Sequence, residues 1–131
     1  MPKILFAEDG PTVMDLSAAL FDDPNTDLDV VTDGRSALDR LNANPKAYDL
    51  VILGLDLPEI DGLGCVAYIK KMFRRIPVLV LSNGEQEDAI TELAGLGIRK
   101  QHIIEKPIDR QIFAIRVREA LSQIPPLPQI P

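Results

Sequence analysis

The chain has 131 residues, 46% hydrophobic and 26% charged, which bounds it to one globular core and excludes a disordered or fibrous chain. With 14 Lys and Arg against 20 Asp and Glu, the net charge of −6 opposes phosphate-backbone binding, so no direct nucleic-acid contact is expected. No apolar run reaches the ~20 residues of a bilayer span, the MPKILFAEDG start lacks the features of a secretory leader, and the single Cys65 excludes an internal disulfide, so a cytoplasmic location is expected.

In chain order, Lys3 to Ala7 (KILFA) reads as a first strand, short and rich in branched residues. Pro11 suits a first helical turn, and Val13, Leu16 and Leu20 then recur on one helical face. Leu28 to Val31 reads as a second strand, followed by a helix marked by Ala37, Leu38 and Leu41 and ended by Pro45. Leu50 to Leu53 (LVIL) is a third strand, apolar enough to be buried on both faces. The next helix carries Leu63, Val66, Ile69 and Phe73, with Cys65 as a small buried residue. Lys70, Lys71, Arg74 and Arg75 gather near its C-terminus, where cations oppose the macrodipole favourably. Val78 to Leu81 is a fourth strand. The helix after it opens on Glu85, Glu87 and Asp88, continues through Ile90 and Leu93, and stops at Gly95 and Gly97. His102 to Ile104 is a fifth strand, and His102, without a second His or Cys at ligand spacing, builds no zinc site. Asp109 is the expected N-cap of a last helix with Phe113, Val117 and Leu121 on one face. Residues 1–122 therefore read as one folded domain. Residues 123–131 (QIPPLPQIP) are too rich in proline to continue the helix and read as a tail or linker stub.

Strands separated by single helices form right-handed parallel crossovers, so the expected class is doubly wound α/β, with helices on both faces of the sheet. Such sheets carry their functional loops beyond the C-terminal strand ends. Those ends present Glu8 and Asp9, Gly54 and Asp56, Ser82, and Lys106-Pro107. Paired carboxylates suit Mg²⁺, a hydroxyl can bond a phosphoryl oxygen, and a lysine can neutralise one. Singly, each has a simpler reading as a cap, a turn residue or a solvated charge. In this order, on four strand ends, they point to one site.

That order, with DLPEIDG following DLVILG, resembles the receiver domain of two-component response regulators, including the single-domain chemotaxis-type regulators, from Lys3 to about Leu121. The resemblance implies a flavodoxin-like (βα)5 fold with a parallel five-stranded sheet in the order 2-1-3-4-5. It implies that Glu8 and Asp9 help to bind Mg²⁺, with the main-chain carbonyl of Asp56 completing the shell. It further implies that Ser82 and Lys106 contact a phosphoryl group, that Ile103 stands where receivers often carry a switching aromatic, and that Pro107 follows a cis bond. A non-enzymatic signalling role follows, with a histidine kinase or a downstream signalling protein as partner, in a monomer or weak dimer. Receivers also close the third strand with a carboxylate that accepts phosphate, and here that position is Gly54.

A glycine offers no side-chain nucleophile. Three explanations stand: a diverged receiver that signals by protein–protein interaction without phosphorylation at position 54, an engineered Asp→Gly change in an ordinary receiver, or an acceptor shifted to Asp56. Alternation places Asp56 on the side of Gly54 if the strand continues. A backbone reason for Gly54, positive φ or the close approach of a partner, is a further reading. On the first explanation, the Asp56 carboxylate is expected to swing into the vacated space and pair with Lys106, with weak Mg²⁺ binding left at Glu8 and Asp9. Two other classes share the fold pattern. One is a nucleotide- or flavin-binding module, and the other is an interaction protein whose surface from the fourth helix to the fifth strand offers Ile90, Leu93 and Ile98, with core burial the expected place of two of them.

Overall fold

The computed structural model describes residues 2–10, 15–18, 20, 26–84 and 86–122. Pro11, Val13, Glu85 and the Pro-rich stretch 123–131 lie outside them. Each apolar run becomes a strand: β1 (Lys3–Ala7), β2 (Asp27–Val31), β3 (Leu50–Gly54), β4 (Val78–Asn83) and β5 (Ile103–Lys106). They form one parallel sheet in the order β2-β1-β3-β4-β5. Helices follow each strand: α1, described at residues 15–18 and 20, α2 (Gly34–Ala43), α3 (Gly62–Met72), α4 (Glu87–Gly95) and α5 (Arg110–Ser122). The class and strand order are those expected.

Side chains alternate across a strand, so each strand divides its residues between two cores. Leu5, Ala7, Val51, Leu53, Val78 and Val80 pack under α2, α3 and α4. Ile4, Phe6, Leu50, Ile52, Leu79, Leu81 and Ile104 pack under α1 and α5. The second core is tightened by Phe6 and Phe113, whose ring centroids lie 5.8 Å apart. Burial on both faces explains why the central strands read as unbroken apolar runs.

Helix starts follow side-chain chemistry. Asp33 accepts from the Ser36 amide at 2.7 Å, Asp61 from the Gly64 amide at 2.8 Å, and Asp109 from the Gln111 and Ile112 amides at 2.8 and 3.1 Å. One expectation shifts: β5 runs from Ile103 to Lys106 because pairing of Ser82 with Glu105 and Asn83 with Lys106 draws two charged residues into the ladder, while His102 ends a 3-10 turn. Leu93 and Ile98 are buried in the core, as expected for two of the three candidate interface residues, and Ile90 is half-buried.

At the N-terminal end of the sheet, Asp29 gathers three partners. The Tyr48 hydroxyl donates to its Oδ2 at 2.6 Å, Lys3 Nζ lies at 3.7 Å and Arg40 Nη1 at 3.6 Å, joining β1, β2, α2 and the entry to β3. Burial first, and then the bond to Asp29, pushes the Tyr48 phenol up from 10.0 to about 12. The folded state thus favours the neutral phenol. Its contribution to stability is complete below pH 10.0 and is lost as pH rises through about 12. Urea midpoints measured across that window should fall with pH in the wild type and fall less steeply in Tyr48→Phe. Parallel curves would remove Tyr48 as the source.

Candidate functional site

The same alternation that divides the core brings three strand ends together. Glu8 follows Ile4 and Phe6, Gly54 follows Leu50 and Ile52, and Lys106 follows Ile104, so all three stand on the α1/α5 side at the C-terminal edge of the sheet. There the Glu8 carboxylate lies in the space that a side chain at position 54 would need. A Cβ built on Gly54 would sit 2.5 Å from Glu8 Oε1 and 2.7 Å from its Oε2 and Cδ. The backbone readings of Gly54 resolve accordingly. Among the described residues only Gly10, Gly97 and Glu59 have positive φ, and the group that approaches Gly54 closely is a side chain of the same domain.

Glu8 is only 2% exposed, and a carboxylate so buried requires compensation. Lys106 Nζ supplies it at 2.9 Å from Oε2, an ionic contact off the axis of an aligned hydrogen bond, while Oε1 accepts the Asp9 amide at 3.0 Å. The Lys106–Pro107 bond that follows is cis, as the resemblance implies.

Asp56 goes elsewhere, contrary to the expectation that it would pair with Lys106. β3 ends at Gly54, and Leu55 and Asp56 turn, so alternation no longer governs Asp56. Leu55 enters the α2/α3/α4 core, and the exposed Asp56 carboxylate accepts from Asn83 Nδ2 at 2.9 Å and Gln86 Nε2 at 2.8 Å. Gln86 Oε1 in turn accepts the Asn83 amide at 2.9 Å. This triad ties the turn after β3 to the turn after β4. Sequence reasoning missed Asn83 and Gln86, because amides in a turn carry no spacing rule; their one signal was polarity beside a strand end.

The loop after β3 is held from beneath. The Gly34 amide donates to the Pro58 carbonyl at 3.1 Å and the Gly62 amide to the Leu55 carbonyl at 3.0 Å. A side chain on Gly62 would strike the Gly54 carbonyl, so glycine is required there. Ser82 is buried, with its Oγ lacking a hydrogen-bond partner, and alternation after Val78 and Val80 turns it to the α2/α3/α4 side. Ile103 is half-buried against that same core. Glu8 and Lys106 are therefore joined directly, while Asp56 is bonded to Asn83 and Gln86, and Ser82 and Ile103 face the α2/α3/α4 core.

The donors do not fit a divalent cation as they are arranged. Glu8 is paired to an ammonium, the Asp56 carboxylate is occupied by two amides, and Asp9 is left as a single exposed acid. Among the described residues no three His, Cys, Asp or Glu side chains gather at metal-holding distance.

The family profile of the response regulator receiver domain matches residues 4–118. The transcriptional regulatory protein TcrA of Mycobacterium tuberculosis is 32% identical over 130 residues, covering 98% of this chain and 49% of its own length. Response regulator ArlR of Staphylococcus saprophyticus is 30% identical over 125 residues, covering 95% of this chain and 54% of its own. The chain thus spans about half the length of these curated relatives. Among solved structures, the phosphorylated cyanobacterial phytochrome response regulator RcpA is 31% identical with a TM-score of 0.78, covering 98% of this chain and 99% of that one. A receiver domain protein of Clostridium thermocellum reaches a TM-score of 0.83 at 21% identity over 94% of this chain and 96% of that one, a likeness of fold.

Removing Lys106 alone would leave a buried, unpaired carboxylate. Lys106→Ala should therefore cost about 3 kcal/mol, the low end for a broken buried pair because the lysine is partly exposed, and adding Glu8→Gln should recover most of it. Chemical denaturation of the two variants measures both. A double variant no more stable than Lys106→Ala would show that the two groups are not coupled.

Proposed function

The chain belongs to the response regulator receiver family, and from that premise we propose that it is a receiver whose state is set without phosphorylation at position 54. The observation that carries this reading is the Glu8 carboxylate filling the acceptor space and neutralising Lys106. A phosphorylated receiver gains a doubly charged group that biases a two-state loop arrangement. Here the lysine already holds an internal anion that neither arrives from a kinase nor leaves by hydrolysis. A loop equilibrium without a phosphoryl ligand remains where the chain itself sets it.

In this role the domain signals by protein–protein contact rather than by catalysis, with a histidine kinase or a downstream signalling protein as the class of partner. Residues 1–122 form the signalling unit and 123–131 a stub or tail, in a cytoplasmic monomer or weak dimer. Ser82 and Ile103 keep the positions of switch residues, yet the absent acceptor leaves their coupling without its trigger. Mg²⁺ has no role in this state. A nucleotide- or flavin-binding module loses its ground, because the family accounts for the same strand-end residues.

Two accounts of Gly54 remain, natural divergence and an engineered Asp→Gly change. Glu8 fills that space under either account, and a side chain restored at 54 must displace the flexible end of its carboxylate. The acceptor shift to Asp56 is disfavoured by its bonds to Asn83 and Gln86.

Incubation with acetyl phosphate and Mg²⁺, read by intact mass, tests the proposal. The wild-type chain should gain no phosphoryl group, Gly54→Asp should gain one slowly, and Gly54→Asp with Glu8→Asp should gain one faster because the shorter acid clears the space. Phosphorylation of the wild type, mapped to Glu8, Asp56 or any other acid, would overturn the reading.

A further inference from the structure

The opposite end of the sheet carries a feature that the receiver site does not use. Where β3 and β4 begin, a surface pocket of about 490 Å³ opens between the α2–β3 connection and the end of α3. Its floor is apolar, formed by Pro45, Phe73 and Pro77 together with Met72, which is 55% exposed. Its rim is cationic, carrying Lys46, Arg74 and Arg75, all exposed. Lys70 and Lys71 stand just behind, in the last turn of α3.

The charges at this corner are unusual for the chain. The molecule is acidic, at −6 with 14 basic residues in all, yet five of the cations gather here. The ion pairs among the described residues use Lys3, Arg40, Lys106, Arg110 and Arg116, and none uses these five. The macrodipole of α3 accounts for Lys70 and Lys71. It weakens for Arg74 and Arg75, which follow the C-cap Phe73 rather than sit in the last turn as the sequence suggested, and it does not account for Lys46, which arrives from another element.

The pocket wall has one acid, and that acid is occupied. Asp49 Oδ2 accepts the Lys3 amide at 2.9 Å. Tyr48 points its hydroxyl to Asp29, leaving hydrocarbon toward the pocket. An incoming anion would thus meet guanidinium and ammonium groups at the rim, and an incoming side chain would meet Met72, whose adaptable thioether suits a ligand of variable shape.

We propose that this corner is a docking site for an acidic segment of a partner protein that carries one bulky apolar residue. The apolar residue enters the pocket over Met72 and Phe73, and flanking carboxylates pair with Arg74, Arg75 and Lys46. Charge complementarity selects this occupant: the chain is acidic overall, and among the described residues this corner gathers five cations outside the ion pairs beside an apolar floor. A nucleic-acid backbone has no apolar group for the floor, and the net charge opposes it. Because the site lies at the far end of the strands from Glu8 and Lys106, it needs no change at the receiver site, and the proposal stands independently of the phosphorylation reading.

The test uses the whole chain and a fluorescein-labelled peptide of alternating Asp and Glu with one central Phe, followed by fluorescence anisotropy at low ionic strength. Saturable binding is expected. It should weaken about tenfold for Arg74→Glu with Arg75→Glu, the loss of two charge-assisted contacts. It should also weaken when the central Phe is replaced by Ser, and when salt is raised past the screening range. Amide shifts in NMR spectra should fall on residues 45–49 and 72–77. Lys46→Glu serves as a second variant if the double change alters thermal unfolding. The proposal is overturned by no binding at low salt, by equal binding to the charge-reversed variants, or by indifference to the central Phe. It is equally overturned if anionic phospholipid vesicles or inorganic phosphate occupy the corner more tightly than the peptide.

Discussion

A carboxylate withdrawn from water must find a counter-charge, and the ion pair between Glu8 and Lys106 meets that constraint at the top of the sheet. The pair exists because three features coincide: Gly54 leaves room, β1 aims Glu8 into it, and β5 delivers Lys106 from the other side of β4. Around it, Asp56 is held by Asn83 and Gln86, and the Ser82 hydroxyl is buried without a partner. A side chain at position 54 would first have to displace the Glu8 carboxylate.

The doubly wound sheet keeps its two ends chemically separate. At the C-terminal edge Glu8 and Lys106 are matched to each other, while Asp9 and Asp56 keep exposed carboxylates. At the N-terminal edge, Asp29 ties Tyr48, Lys3 and Arg40 into one network, while the neighbouring cations of α3 and the α2–β3 connection form no ion pair among the described residues. A protein of net −6 with a local basic corner carries a charge contrast between that corner and the molecule as a whole.

Much of the fold was legible because parallel strands buried on both faces are continuous apolar runs, and KILFA, LVIL and VLVL stand out against amphipathic helices. Asp109 was legible as a cap because its position before an apolar periodicity is a local rule. β5 was less so. Its last two residues are Glu105 and Lys106, which enter the ladder through pairing with β4 rather than through their own propensity. Asp56 was misread for a related reason: alternation holds only while the strand continues, and β3 stops at Gly54.

The sequence by itself determined the strand and helix order, the family likeness and the glycine at position 54, since these rest on periodicity, caps and residue identity along the chain. Only the tertiary structure decided which acid lies beside that glycine. Glu8 and Lys106 are almost a hundred positions apart, and nothing local links them. They meet because the parallel strands of one sheet turn alternate residues to the same face, which sets the buried carboxylate at the end of β1 within reach of the ammonium from β5.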